Sequence, residues 1–199
     1  MPSQVPVGMA DWVDSMVLMC VSLVDFEFCT QLRQFHSVCS NSGDEKNYEL
    51  VPPSSDERVC FSTRVVDNRP FFYAYDFFFG QLGVTLPFSP FEIDLLWSCN
   101  VAPSQLHPNS WGFIKIFQLL CDGFGIHASQ SLFFYLFVLT NPGVVKKKSA
   151  WVSFRSTQGK KVFSMFDESF RDFKNYFFKV RAVEGARPFF LDEIGTAHV

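Results

Sequence analysis

The sequence predicts an α+β fold, with a mainly helical core of about five or six helices followed by a small β-hairpin or sheet element. Three observations carry that expectation. Phenylalanine accounts for 26 of 199 residues and 48% of the chain is apolar, so a sizeable core is available and disorder throughout is excluded. Apolar residues recur at helical spacing between recognisable caps through most of the chain before Asn141. After Asn141-Pro142-Gly143 the period changes to two.

Taken in order, residues 1–10 read as an unstructured tail. Asp25 can cap a helix in which Phe28, Leu32, Phe35 and Cys39 recur on one face. Residues 40–57 are polar, contain Pro52-Pro53, and read as a linker or long loop, and Val59-Cys60-Phe61 reads as a short strand. Phe72 to Leu82 reads as a helix stopped by Gly83, with Val84 placed for the closing apolar contact. Ser89-Pro90 supplies a cap and a first-turn proline for a helix over Phe91 to Cys99.

Ala102-Pro103 and His107-Pro108 impose extended backbone before each proline. Asn109 or Ser110 then caps a helix running to Asp122 and closed by Gly123, whose polar stripe is narrow, as in a mostly buried helix. Ser129 caps a further apolar segment through Leu139, either helix or central strand, since length does not decide. Ala150–Phe154 and Lys161–Met165, separated by Thr157-Gln158-Gly159-Lys160, read as a hairpin. Phe166, Phe170, Phe173 and Phe177 return to helical spacing, with Asp167 and Glu168 in the first turn and Lys174 near the end. Phe178 to Val183 alternates and reads as a last strand.

Charge is distributed unevenly. Residues 1–100 hold 5 Lys and Arg against 13 Asp and Glu, a balance of −8, and residues 101–199 hold 12 against 7, a balance of +5. Between Lys146 and Arg187 alone there are 11 basic and 4 acidic side chains. This pattern implies either an anionic partner for the second half or contact between the halves. Six cysteines without close pairs, and no secretory signal, read as free thiols in a reducing compartment. Apolar runs fall short of the ~20 residues a membrane span needs, so a soluble intracellular protein, nuclear or cytoplasmic, is expected.

Candidate chemistry is sparse. Cys20, Cys29, His36 and Cys39 have zinc-ligand types but not the tight spacing of structural sites, and buried thiols are the plainer reading. Asp76, Asp122 and Glu168 are the only carboxylates to try as a two-metal triad, and each has a simpler role at a helix end or flank. His107 and His127 lack a nucleophile partner, and no phosphate-binding glycine loop is present. No enzyme, cofactor, metal or small-molecule substrate is therefore expected. The strongest lead is the basic hairpin: Lys146, Lys147 and Lys148 enter it, Arg155, Lys160 and Lys161 lie in or beside its turn, and Trp151 sits on its first strand. Lysine and arginine neutralise phosphates and an interleaved aromatic can stack, so these residues are the candidate nucleic-acid contacts. Helices followed by such a hairpin also have a winged-helix outline.

Several segments resemble a plant family labelled the putative gypsy-type transposase domain, which occurs in transposon-derived open reading frames. They are DEKNYELVPP at 44–53, DERVCF at 56–61, FFYAYDFFFGQLGVTLPFSPFE at 71–92, VAPSQLHPNSWGFIKIFQLLC at 101–121, WVSF at 151–154, SFRDFKNYFFKV at 169–180 and PFFLDE at 188–193. The resemblance implies an N-terminal tail, helix and polar linker over 1–57, the family domain over 58–194, and a truncated end at 195–199. It implies no catalytic residues. Two functions are then expected in order: a non-catalytic, nucleic-acid-associated module of a mobile-element protein, with DNA or RNA as partner, or a capsid-like or protein-interaction domain that forms homo-oligomers. No membrane partner is expected.

Overall fold

The computed structural model describes residues 14–59, 69–140, 151–159, 170–184 and 186. Among them lie six α-helices and five strands: α1 Ser15–Leu18, α2 Phe26–Phe35, β1 Tyr48–Val51, β2 Phe71–Tyr75, α3 Asp76–Gly80, α4 Pro90–Cys99, α5 Pro108–Gly123, α6 Gln130–Leu136, β3 Phe137–Thr140, β4 Ser153–Ser156 and β5 Phe177–Ala182. The predicted arrangement, a helical core followed by a β element, is wrong. Strands β1 and β2 interrupt the helices after α2, β3 to β5 follow α6, and together they form two antiparallel sheets, β1-β5-β2 and β3-β4. The winged-helix outline fails with it, because the central strand of the larger sheet is the last described strand, paired with strands that precede α3.

Three local misreadings explain the error. The run from Phe72 was taken for helix, yet Phe71–Tyr75 is a strand of β-favouring aromatics, and only Asp76–Gly80 is helical. The segment after Ser129 is helix and strand in succession, turning to β at Phe137. β4 pairs with β3, matching Phe137 with Ser156 and Thr140 with Ser153, a partner that the sequence did not suggest; the predicted hairpin joins it to a second strand at 161–165. That second predicted strand, like the predicted tail at 1–10, Cys60-Phe61 and Phe166–Glu168, lies outside the described residues. The helix expected through Phe170 and Phe173 is absent: these residues lie in turns, Asp172 has φ +64°, and Phe177 opens β5. Their helical spacing is coincidental. Phe173 is buried edge-on against Tyr75 and Phe77, with ring centroids at 5.1 and 5.7 Å.

Cap predictions fare better. Asp25 accepts from the Phe28 N–H at 2.8 Å and opens α2. Ser89 and Glu92 form a reciprocal capping box with Pro90 in the first turn of α4. Ser129 accepts from the Leu132 N–H and opens α6. Gly83 takes φ +58°, a conformation that glycine adopts without strain, and lets the Val84 N–H reach the Phe78 carbonyl at 2.7 Å. α5 starts one or two residues earlier than its expected cap. His107 is the cap, its Nδ1 accepting from the Asn109 N–H, and Pro108 is the first helical residue.

The core is a continuous aromatic cluster. Trp111 is fully buried, donates Nε1–H to the Pro103 carbonyl at 3.1 Å, and packs on Phe78 and Phe88 at 4.8 and 5.4 Å. Phe91, Phe117 and Phe133 join α4, α5 and α6. The β1-β5-β2 sheet presents Tyr48, Leu50, Phe72, Ala74, Phe178 and Val180 on one face. Its other face carries Lys179 and Arg181 between Glu49, Phe71 and Tyr73, and is covered by the loop holding Glu57.

Candidate functional site

Of the seven predicted nucleic-acid contacts, Trp151 and Arg155 are described, whereas Lys146, Lys147, Lys148, Lys160 and Lys161 lie outside the described residues. The chain brings Trp151 and Arg155 onto one short extended segment but gives them different surroundings. Trp151 is half-buried: its Nε1–H donates to the Tyr75 hydroxyl at 3.0 Å and Phe173 meets the ring edge-on. The Lys174 ammonium sits 5.0 Å from the ring centroid, so a base could stack there only by displacing that cation. Arg155 is exposed on β4, opposite Val138 of β3. The neighbouring Phe154 is buried, its N–H donating to Ser110 on α5 at 2.9 Å, which fixes β4 against the helix.

Two of the basic side chains counted after Lys146 do not belong to the surface. Lys179 and Arg181 lie in the buried central strand β5. The Lys179 ammonium bonds both Glu57 carboxylate oxygens, at 3.0 and 2.8 Å, and Tyr73 and Ser54 donate to the same carboxylate. Burial alone would raise the Glu57 carboxyl, but Lys179 and Ser54 outweigh it and hold it below the usual carboxylate range. A second link crosses from α4 to α5, where Lys115 meets buried Glu92 at 3.1 Å. The uneven charge of the sequence is thus partly resolved by contact between its halves.

A different surface stands out, one that sequence reasoning missed. At the far end of α4, α5 and α6, the side chains of Trp97, Leu119, Phe124, Ile126 and Tyr135 are exposed, with Phe124, Leu119 and Tyr135 at 75%, 67% and 60%. The Ser98 hydroxyl at the end of α4 donates to the Gln130 side chain at the start of α6 at 2.9 Å, and beyond α5 the Ile126 N–H folds back onto the Cys121 carbonyl at 2.8 Å. Leu120 and Phe124 are one turn apart on α5, and Phe134 and Val138 extend the apolar surface towards β3. The available signal was Gly123-Phe124-Gly125-Ile126. Apolar residues in a tight glycine turn have no helical face through which to be buried. Gly125 indeed takes φ +64°.

Among the described residues no group of three or more His, Cys, Asp or Glu side chains could hold a metal ion. Cys20, Cys29 and Cys39 are buried free thiols, and burial pushes Cys29 up to about 11. Asp122 is exposed at the end of α5, and Glu168 lies outside the described residues. His127 is exposed, and His107 acts as a helix cap.

Residues 70–141 match the family model described as putative gypsy type transposon. The likeness is that of this segment, 72 of the 199 residues. No curated protein and no solved structure matches the chain. The matched segment runs from β2 to the end of β3 and contains the exposed apolar residues of α4 to β3, from Trp97 to Val138. Trp151, Arg155 and the five candidate lysines lie beyond it. No helix among the described residues is long and apolar enough to cross a membrane.

Proposed function

We propose that this chain is a non-catalytic association module of a transposon-derived protein, in which copies meet through the apolar end of α4, α5 and α6. The observation that carries this reading is the exposure of Trp97, Leu119, Phe124, Ile126 and Tyr135, five large apolar side chains on α4, α5, α6 and the α5–α6 turn within residues 70–141, which we take to form one surface. Monomeric proteins expose single apolar residues routinely, but a contiguous set marks an interface. Aromatic side chains present about 150–250 Å² each. The exposed fractions here therefore leave several hundred Å² of apolar area, on the order of the ~800 Å² each partner contributes to a standard interface.

Sedimentation velocity over a concentration series tests the proposal. The wild type is expected to sediment as a concentration-dependent oligomer, and the triple variant Leu119→Ser, Phe124→Ser, Tyr135→Ser as a monomer with an unchanged far-ultraviolet spectrum. A wild type that stays monomeric at the highest concentration would reject the reading.

A second reading, contact with DNA or RNA, is favoured by one observation. Exposed Arg155 lies on β4, and the chain on either side of this strand carries Lys146, Lys147 and Lys148 before it and Lys160 and Lys161 after it. Phosphate binding by these side chains would weaken steeply with salt. Fluorescence anisotropy with labelled duplex DNA and single-stranded RNA, repeated with the five lysines changed to alanine, separates the two readings. Association that persists in the lysine variant, without salt-sensitive nucleic-acid binding in the wild type, leaves the first alone.

A further inference from the structure

A cleft of about 290 Å³ opens between α2 and α3, remote in sequence from the α5–α6 surface and independent of the association reading. Phe28 and Phe35 line it from α2, Phe77 and Gly80 from α3. Phe35 is 71% exposed, so this aromatic ring is not held there by core packing. Gly80 forms part of the wall beside His36, where a Cβ would come into van der Waals contact with the imidazole at 3.5 Å and a longer side chain would take up cleft volume. Four polar side chains, Gln31, His36, Asp76 and Gln81, complete the lining.

Their hydrogen bonds determine what the cleft offers. Asp76 accepts the Phe77 N–H at 2.7 Å through Oδ1, which leaves Oδ2 as a second acceptor. Gln31 donates Nε2–H to Glu27 at 3.2 Å, and this orientation leaves its carbonyl oxygen as the other end of the amide. Among the described residues neither lysine nor arginine lines the cleft. A carboxylate, amide oxygens and aromatic faces together suit a cation with several N–H donors, and the volume suits one side chain.

We propose that this cleft binds the guanidinium or ammonium group of an arginine or lysine side chain presented by a basic protein segment. An anion would meet the Asp76 carboxylate, with Glu27 one hydrogen bond behind Gln31, and a purely apolar group would leave these acceptors desolvated.

The test is a ¹H–¹⁵N correlation titration of the full chain with N-acetyl-arginine amide up to about 20 mM, enough to detect a Kd near ~1 mM. N-acetyl-citrulline amide serves as the neutral isostere and spermidine as a free polycation. Shifts confined to α2 and α3, at least about tenfold weaker with citrulline and with spermidine, are expected. Asp76→Asn removes the charge and Gly80→Leu fills the space; each should abolish the shifts while the rest of the spectrum stays in place. Equal binding of citrulline, binding retained in both variants, or shifts elsewhere only would overturn the assignment. Spermidine binding as tightly as arginine would overturn the protein source of the cation, and no shift with any probe would overturn the site.

Discussion

Replacing Lys179 with methionine leaves the Glu57 carboxylate buried without its cation. Lys179 and Glu57 have side-chain exposures of 10% and 4%, and both carboxylate oxygens lie within 3.0 Å of the ammonium. Breaking a pair so enclosed costs roughly 3–5 kcal/mol, because the surviving charge loses its partner but not its burial. For a chain of this length that corresponds to roughly 6–20 °C in Tm, at about 2–4 °C per kcal/mol. The pH dependence separates this from loss of the lysine stem. In the wild type the folded Glu57 carboxyl is held below its ordinary 4.5, so its contribution is present above that pH and is lost as pH falls through the folded value. Without Lys179, burial dominates and the folded carboxyl moves above 4.5, so the penalty of ionisation sets in as pH rises. Urea unfolding monitored by tryptophan fluorescence should therefore show a large stability gap between wild type and Lys179→Met at pH 7 and a much smaller one near pH 4. A gap of the same size at both pH values would refute the ion-pair argument and leave only lost packing.

Three further outcomes follow from the same geometry. Burial first, and the nearby Lys174 second, hold the His107 imidazole below its usual 6.5, so protonation favours the unfolded chain and stability should start to fall as pH drops through 6.5. Thermal melts between pH 7.5 and 5.5 should be flatter for His107→Asn, which keeps a cap without the titrating ring. Trp151→Phe loses the bond to Tyr75 and weakens the Lys174 contact, which should cost about 1–2 kcal/mol in urea unfolding, whereas a tryptophan free to stack on bases would cost almost nothing. Burial pushes the Cys29 thiol up to about 11 and encloses it, so Cys29 should react with a disulfide reagent at pH 8 only as fast as the protein unfolds, and prompt labelling at Cys29 in the native chain, located by peptide mapping, would contradict its placement.

What the sequence made legible was local. A cap is decided within four residues, so Asp25, Ser89-Pro90 and Ser129 could be read without the rest of the chain. β5 is the opposite case. It was recognisable as a strand, but its partners Tyr48–Val51 and Phe71–Tyr75 lie more than a hundred positions earlier, and no local signal names them. Because Phe71–Tyr75 pairs with β5, its aromatics are strand residues. Read alone, they join the apolar run that follows and look helical. The candidate site suffered for the same reason. Lys179 and Arg181 raised the basic count of the second half, yet their charges face Glu57 and Phe71 inside the fold. Trp151 had the composition of a stacking residue, and only the approach of Tyr75, distant in sequence, turns it inward.

The family segment and the folding unit are therefore not the same stretch of chain. Residues 70–141 supply β2, α3, α4, α5, α6 and β3, with the apolar surface upon them. They do not supply β5, whose pairing satisfies β2 along its whole length, nor β4, which pairs with β3 and brings Phe154 against Phe133 at 4.9 Å. Taken alone, the segment would expose the hydrogen-bonding edges of two strands and uncover the fully buried Tyr75 and Phe133, which lose Phe173 and Phe154. Those new surfaces would stick to one another whether or not the native surface does. Self-association measured on the family segment would thus say nothing about Phe124 and its neighbours; the chain through β5 is the smallest unit on which that question has a meaning.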